Sequence, residues 1–289
     1  MSKLKIAFQG EPGANSDIAA REVYPDCEPL PCATFEDALA AISNGEAELG
    51  MIPIENSIAG RVADIHHLLP HAKLHIVGEH FLPIHFNLMA PKGATLKTVK
   101  SVESHIHALG QCRRFIRKHG YKAVIAADTA GAARHISETD DVTRAALAPM
   151  LAAKIYGLKV LAERVEDEDH NTTRFVILSR KQQHARPNNG LVVTTFVFQV
   201  RNLPAALYKA LGGFATNGVN IVKLESYLSG AHFEQAQFYA EVEGHPAERG
   251  LKLALEELGF FSEEFKPLGT FPAHPFRRKG WEAPTRPGT

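Results

Sequence analysis

The chain has 289 residues, 45% hydrophobic and 22% charged, with Lys+Arg and Asp+Glu both at 32. That length suits two domains of ordinary size, and that composition a globular chain rather than a disordered or fibrous one. The balanced charge gives no net field for nucleic acid or an anionic membrane surface, and no apolar run is long enough for a spanning helix. The start, Met1-Ser2-Lys3-Leu4-Lys5-Ile6, passes directly into a strand without a signal-peptide pattern, which points to the cytoplasm. Cys27, Cys32 and Cys112 are odd in number and lack metal spacing, as reduced thiols would be. His66-His67 read as residues of an exposed helix, and no His-Glu-x-x-His pattern occurs, so no metal is expected.

Lys5 to Gln9 reads as a first strand, followed by a turn over Gly10-Glu11-Pro12-Gly13-Ala14-Asn15-Ser16 and a helix to about Tyr24. The turn lacks the third glycine of a dinucleotide fingerprint and the lysine of a P-loop. It reads either as a plain strand-to-helix turn or as backbone N–H groups offered to an anion. Thr34 and Asp37 resemble a capping box ahead of a helix over Phe35 to Ser43, with Gly45 as its stop. Leu49 to Ile54 is a buried strand that breaks into the polar run Glu55-Asn56-Ser57-Ile58-Ala59-Gly60. A helix near Val62 to Leu69, a strand from Leu74 to Glu79 and an extended run from Phe81 to Met89 follow.

A second α/β unit starts there. Val99 to Glu103 is a strand, and Ser104 caps a helix from His105 to about Lys118, stopped by Gly120. Lys122 to Ala126 and Arg144 to Leu147 are strands around a helix that opens at Asp128-Thr129-Ala130-Gly131. Met150 to Tyr156 is a helix stopped by Gly157, and Lys159 to Ala162 is a strand. The acids Glu166 to Asp169 then lead into His170-Asn171-Thr172-Thr173-Arg174-Phe175-Val176-Ile177-Leu178, a polar loop that becomes an apolar strand.

Alternating strands and helices imply parallel sheet, and ligands collect at the mouths of its strands. Crossings near 80–85 and 163–173 divide the region into two lobes, about 1–80 plus 171–183 and about 81–170. The polar stretches at 10–16, 55–60, 104–112, 128–131 and 171–174 would all face one cleft. Two hydroxyls, an amide and a fixed cation at 171–174 suit a small anion; the plainer alternative is an edge turn with a surface arginine.

Gln182 to Gly190 is a linker. Val192 to Val200 is a strand, and Pro204 suits the first turn of a helix to about Asn217. Asn220 to Leu228 is a strand, Ser229-Gly230 a turn and Phe233 to Val242 its partner. Pro246 opens a helix to Leu258, and Phe265 to Phe271 is a last strand. The order is βαββαβ, a ferredoxin-like pattern, over 190–272. The tail, 273–289, is expected to be loosely ordered.

Pro53-Ile54-Glu55-Asn56-Ser57, Ser104-His105 with Gln111-Cys112, Asp128-Thr129-Ala130-Gly131-Ala132-Ala133, Leu158-Lys159-Val160-Leu161-Ala162 and Thr173-Arg174-Phe175 occur in one order and spacing. Together they resemble the prephenate dehydratase family over the first 180 residues, with its ACT regulatory domain over the last 90. One departure is Asn15, which precedes Ser16 where the family often carries an aromatic. With no chorismate mutase helices before Met1, the resemblance implies a monofunctional enzyme. Its implied fold is a two-lobed catalytic domain, 1–183, like periplasmic type II binding proteins, plus a ferredoxin-like ACT domain.

The implied reaction is a lyase step taking prephenate to phenylpyruvate, carbon dioxide and water in L-phenylalanine biosynthesis. Aromatisation drives it, so no cofactor is expected. By the same resemblance Thr173 donates to the leaving hydroxyl, Asn171 and Arg174 complete the catalytic group, and Arg174 forks onto a carboxylate. The alternative for Arg174 is an ion pair with the acids at 166–169. Glu55, Asn56, Ser57, Ser104, Thr129, Thr172 and Phe175 would surround the substrate, with Glu55 paired to a cation or to backbone N–H groups. His105 and Cys112 read as packing or supporting residues. L-phenylalanine would bind between subunits of a homodimer or homotetramer, at Ala205, Ala206, Leu207, Asn220, Glu225 and Ser226. There Ala205-Ala206-Leu207-Tyr208 and Glu225-Ser226-Tyr227-Leu228 stand for the family's Gly-Ala-Leu-Val and Glu-Ser-Arg-Pro. The competing readings are an arogenate dehydratase and a non-catalytic sensor of an amino acid or small anion.

Overall fold

The computed structural model describes residues 3–187, 190–229 and 235–280. The chain begins β1 (Lys5–Gln9), α1 (Asn15–Val23), β2 (Glu28–Cys32), α2 (Phe35–Asn44), β3 (Leu49–Asn56), β4 (Gly60–Arg61), α3 (Ala63–Leu68) and β5 (His75–Pro83). A second run follows: β6 (Asn87–Ala90), β7 (Ser101–Ser104), α4 (Ile106–Gln111), α5 (Arg113–His119), β8 (Lys122–Ile125), α6 (Thr129–Thr139), β9 (Arg144–Ala148), α7 (Met150–Tyr156) and β10 (Lys159–Ala162). β11 (Thr172–Ser179) leads to β12 (Val192–Val200), α8 (Ala206–Thr216), β13 (Ile221–Ser229), β14 (Gln235–Glu243), α9 (Arg249–Phe261) and β15 (Ser262–Pro272).

Three sheets result. The first has the order β2-β1-β3-β11-β5 with β4 beside β3; the second is β10-β6-β9-β7-β8. Ile6, Ala7 and Phe8 of β1 are all fully buried, as expected for a strand covered on both faces. In the second sheet, Ala130, Ala133, Ala146, Ala148 and Ala152 let α6 and α7 lie close to the strands. This sheet is mixed rather than parallel, because β6 runs antiparallel to both β9 and β10. The third sheet, β13-β14-β12-β15, carries the βαββαβ order and is antiparallel throughout. Phe196, Phe198, Phe214, Phe238, Leu251 and Leu258 form its core with α8 and α9.

Local signals placed several ends correctly. Thr34 and Asp37 form the reciprocal capping box of α2, and Gly45 ends it in the left-handed conformation. Others were overridden. Ser104 does not cap a helix: it closes β7, and its hydroxyl donates to the Leu147 carbonyl at 2.6 Å. His105 is the N-cap, and the expected single helix over 105–118 breaks at Cys112 into α4 and α5. The extended run over 81–89 is likewise split between β5 and β6. Pro204 and Pro246 lie ahead of α8 and α9 rather than in their first turns. The Ser229-Gly230 turn, the start of the strand expected from Phe233, Asn188 and Asn189 of the linker, and the tail beyond residue 280 lie outside the described residues.

The chain packs as two compact units, 1–65 with 80–176 and 66–79 with 177–289. This division differs from the expected boundary near 183–190, and the second face of the third sheet supplies the reason. Core residues Phe238, Ala240 and Val242 alternate along β14 with Tyr239 and Glu241, which are equally buried. Segment 66–79 contributes to their cover. His66 lies edge-on to Tyr239 at 4.9 Å and hydrogen-bonds Tyr227 at 2.9 Å, so it is buried, not on an exposed helix face. A Cβ on Gly269 of β15 would collide with the Ile76 carbonyl. The tail is also held as far as residue 280: Arg277 pairs with Glu79 at 2.7 Å and with Glu241 at 2.9 Å, in a short 3-10 helix.

Candidate active site

Within the first unit, a cleft of about 790 Å³ draws residues from both of its sheets. That volume falls in the range of small-molecule sites. From the first sheet come the end of β1, the first residues of α1, and Asn56, Arg61 and Asp64 around β3 and β4. From the second come His105, His107, Gln111, Asp128 and Thr129; the crossing segments add Ile84, Phe86, Asn171, Thr173 and Phe175. Contacts between the two halves brace it. The Tyr156 hydroxyl donates to the Pro12 carbonyl at 3.0 Å, Arg134 pairs with Glu11 at 3.3 Å, and Gly13 packs against the Ala152 backbone. Gly13 has a φ of +88°, and a Cβ there would come within 2.7 Å of the Ala152 Cα, so both conformation and space require glycine.

Asn56 lies at the centre of the polar wall. Its Nδ2 donates to Asn171 Oδ1 at 2.7 Å and to Thr173 Oγ1 at 2.9 Å. Its Oδ1 accepts from the Ile58 and Ala59 backbone N–H groups at 3.0 and 2.8 Å. Asn171, 3% exposed, passes its own Nδ2 to Gln111 Oε1 at 2.7 Å. Across the cleft, Asp128 caps α6 by accepting from the Gly131 N–H, and Thr129 is the first residue of that helix.

Strand geometry divides the predicted residues. Side chains alternate along β11, so Thr173 and Phe175 share the cleft face while Thr172 and Arg174 point away. Arg174 is not among the residues lining the cleft. It is 5% exposed with its guanidinium 5.9 Å from the centre of the Phe81 ring. The nearby acids have partners of their own: Glu166 holds His85 and the Phe86 N–H, and Asp167 accepts from the Arg114 N–H at the start of α5. Ser57 fixes the crossing segment, its hydroxyl donating to the His170 carbonyl and accepting from the Thr172 N–H. Ser57, Thr172 and Ser104 thus brace the site from outside the cleft. Glu55 also lies off the cleft, opposite Arg61 in the β3–β4 register.

Arg61 is the residue that pattern reading missed. Among the described residues it is the only arginine or lysine lining the cleft. Its signal was its place five residues after Asn56, on a two-residue strand that turns back beside the mouth of β3. The glycine turn is less open to an anion than its sequence suggests, because the Gly13 N–H is taken by the buried Asp17 carboxylate at 2.9 Å. Burial, and then His107, lower the His105 pKa against the opposing pull of Asp128, which favours neutral imidazole. Burial drives the Cys112 thiol far above its ordinary range, with Glu166 and Asp167 adding to the shift, so it stays protonated rather than nucleophilic. No helix among the described residues is long and apolar enough to cross a membrane.

In the C-terminal unit, Ala205 is the N-cap of α8 in the left-handed conformation (φ 59°). Ala206 is buried and Leu207 packs on the sheet core. Asn220 donates to Glu243 at 3.1 Å, Glu225 pairs with Lys223 at 3.5 Å, and Ser226 is exposed on β13.

A cleft with amides and hydroxyls at strand mouths, and with Arg61, Glu36, Asp64 and Asp128 also among its lining residues, defines a two-lobed α/β protein built to hold a small polar molecule. The prephenate dehydratase family model matches residues 6–183, and the chain belongs to that family. It is 49% identical to a bifunctional N-acyl-homoserine lactone acylase/prephenate dehydratase of Komagataeibacter europaeus, over 95% of this chain and 98% of that protein. It is 35% identical to arogenate dehydratase/prephenate dehydratase 1 of Arabidopsis thaliana, over 94% of this chain and 72% of that protein. The solved prephenate dehydratase of Arthrobacter aurescens, in complex with L-Phe, superposes with a TM-score of 0.85 at 31% identity, covering 93% of this chain and 90% of that one.

Proposed function

We propose that the chain converts prephenate to phenylpyruvate, carbon dioxide and water in L-phenylalanine biosynthesis. The observation that carries this reading is the Thr173 hydroxyl on the cleft wall, held by Asn56 and Asn171 in a chain of the dehydratase family. A threonine hydroxyl is too weak an acid to be left as an alkoxide, so its role is to donate a hydrogen bond to the departing hydroxyl; where its proton passes to that oxygen, a water returns one to Thr173 in the same step. Help of this kind is worth about 10²–10⁴ in rate. Arg61, rather than Arg174, is the cation placed to meet a substrate carboxylate.

The C-terminal βαββαβ unit reads as a ferredoxin-like ACT domain that binds L-phenylalanine and lowers activity as a homodimer or homotetramer. The phenylalanine complex of the Arthrobacter protein supports the effector. Calorimetry with phenylalanine, tyrosine and tryptophan, run beside the activity assay, tests it: no heat and no inhibition by phenylalanine would remove the effector.

The test of the reaction is purified protein mixed with prephenate, and separately with arogenate, followed by the absorbance of the product in alkali. Phenylpyruvate from prephenate supports the reading. Turnover of arogenate alone would change the substrate, and binding without turnover would make the chain a sensor. The likeness to the Komagataeibacter protein favours a second reading, in which the same chain also cleaves the amide of N-acyl-homoserine lactones. Release of homoserine lactone from such a substrate would establish it.

A further inference from the structure

We infer that the Asn56–Asn171–Gln111 amide chain is a polarity relay that makes the cleft wall donate at both of its ends, through the Thr173 hydroxyl and the Gln111 amide. The inference deepens the proposed reaction and rests on it. The direction of the chain is fixed at its root. Ile58 and Ala59 present backbone N–H groups, which can only donate, so the Asn56 oxygen must face them. The Asn56 NH₂ group is then turned to the other side, where it donates to Asn171 Oδ1 and Thr173 Oγ1 at 2.7 and 2.9 Å, with the Thr172 carbonyl a more distant acceptor at 3.4 Å.

Two consequences follow from donor and acceptor counting. Thr173 Oγ1 is an acceptor in its bond to Asn56, so its own proton is left for a different partner, and Thr173 lines the cleft. Asn171, having given its oxygen to Asn56, must donate through Nδ2, and Gln111 receives that bond on Oε1. Gln111, also a cleft residue, therefore has its NH₂ group left to offer. A substrate that is anionic and loses hydroxide needs donors and is repelled by acceptors. The relay sets this sign without a net charge, from two backbone amides at the tip of the β3–β4 turn. Thr173 is the catalytic residue of this scheme; Asn56 and Asn171 are positioning residues, and Gln111 is a further substrate-binding residue.

The relay predicts that one nearly isosteric change inverts the wall. Asn56→Asp keeps an oxygen for Ile58 and Ala59 but replaces the NH₂ with an acceptor. Thr173 would then donate to the new carboxylate, and its proton would leave the cleft. The expected result is a loss in kcat of roughly 10² or more, as large as that of Thr173→Ala. In kcat, the double variant Asn56→Asp/Thr173→Ala should be no worse than Thr173→Ala alone, because the two act through one proton, while the charge that Asn56→Asp sets against an anionic substrate is read in KM. Losses that multiply, or an Asn56→Asp enzyme of near wild-type kcat, overturn the relay. If Thr173→Ala retains full activity, the failure lies in the proposed reaction instead.

Should Asn56→Asp not fold, the far end is read with Gln111→Glu, which keeps the acceptor for Asn171 and removes the outward NH₂. It should raise KM for prephenate at least tenfold and lower kcat by less than KM rises. An unchanged KM overturns the assignment of Gln111.

Discussion

The cleft and the C-terminal unit both bury polar side chains, with opposite chemistry. One stretch of the cleft wall is neutral: Asn56, Asn171, Gln111 and Thr173 exchange hydrogen bonds of 2.7–2.9 Å with no carboxylate or cation among them. The C-terminal unit is charged: Glu79 and Glu241, with fully buried side chains, share Arg277, and Tyr239 donates to Glu241 at 2.6 Å. Neutral amides can hydrogen-bond in either direction, so a neutral chain can be oriented and can present a proton. An ion cluster has one arrangement, and loss of one member leaves buried charge without its counter-ion. The first suits a site where bonds are made and broken; the second suits a fixed joint between segment 66–79, the sheet and the tail.

The largest effect on stability should come from the joint. Arg277→Ala should destabilise the chain by about 3–5 kcal/mol, the usual result of stranding buried charge. Chemical denaturation monitored by circular dichroism would show it as a lower midpoint, and an unchanged midpoint would remove the structural role given to residues 274–280. Gly13→Ala, at the brace of the cleft, should cost about 1–3 kcal/mol from a positive φ alone, with the collision at Ala152 in addition. It should also lower turnover, whereas Arg277→Ala, if folded, should leave the cleft chemistry largely intact.

Smaller effects sharpen the same contrast. Ala205→Gly relieves a left-handed alanine and should raise stability by about 1 kcal/mol, read as a higher melting temperature. His105 supplies a pH test of the cleft. Its pKa in the fold lies below the unfolded value, so the unfolded chain takes up the proton first as pH falls. The stability it contributes is present above about pH 6.5 and is lost as pH falls through the lower folded pKa. His105→Gln should therefore show a flatter acid limb than the wild type. Equal slopes would mean that His105 is not held neutral.

How much of this was legible in sequence depends on the range of the interaction. The capping box of Thr34 and Asp37, and the Gly45, Gly120 and Gly157 stops, are local and could be read directly. Asn56, Thr129, Asn171, Thr173 and Phe175 sit at strand mouths or helix starts, and the cleft gathers all of them. Arg174 is not among the lining residues, and the two-residue period of β11 already separated it from Thr173. The burial of His66 could not be read from its own helix, because its partners Tyr227 and Tyr239 lie more than 160 residues away in the chain. Ser104 shows the same limit: a serine before a helix reads as a cap, and only the neighbouring β9 strand offers it the Leu147 carbonyl. Arg61 was passed over because a two-residue strand has no periodicity to detect.

The central claim is that the Thr173 hydroxyl is a donor to the leaving group in a prephenate-dehydrating cleft. Its most direct test is kcat for phenylpyruvate formation from prephenate in the wild type, Thr173→Ser and Thr173→Ala, each with its melting temperature. The account predicts that Thr173→Ala loses roughly 10² or more while Thr173→Ser keeps part of the activity, with all three chains similarly stable. Equal losses in the serine and alanine variants, or a wild type that yields no phenylpyruvate, would contradict it.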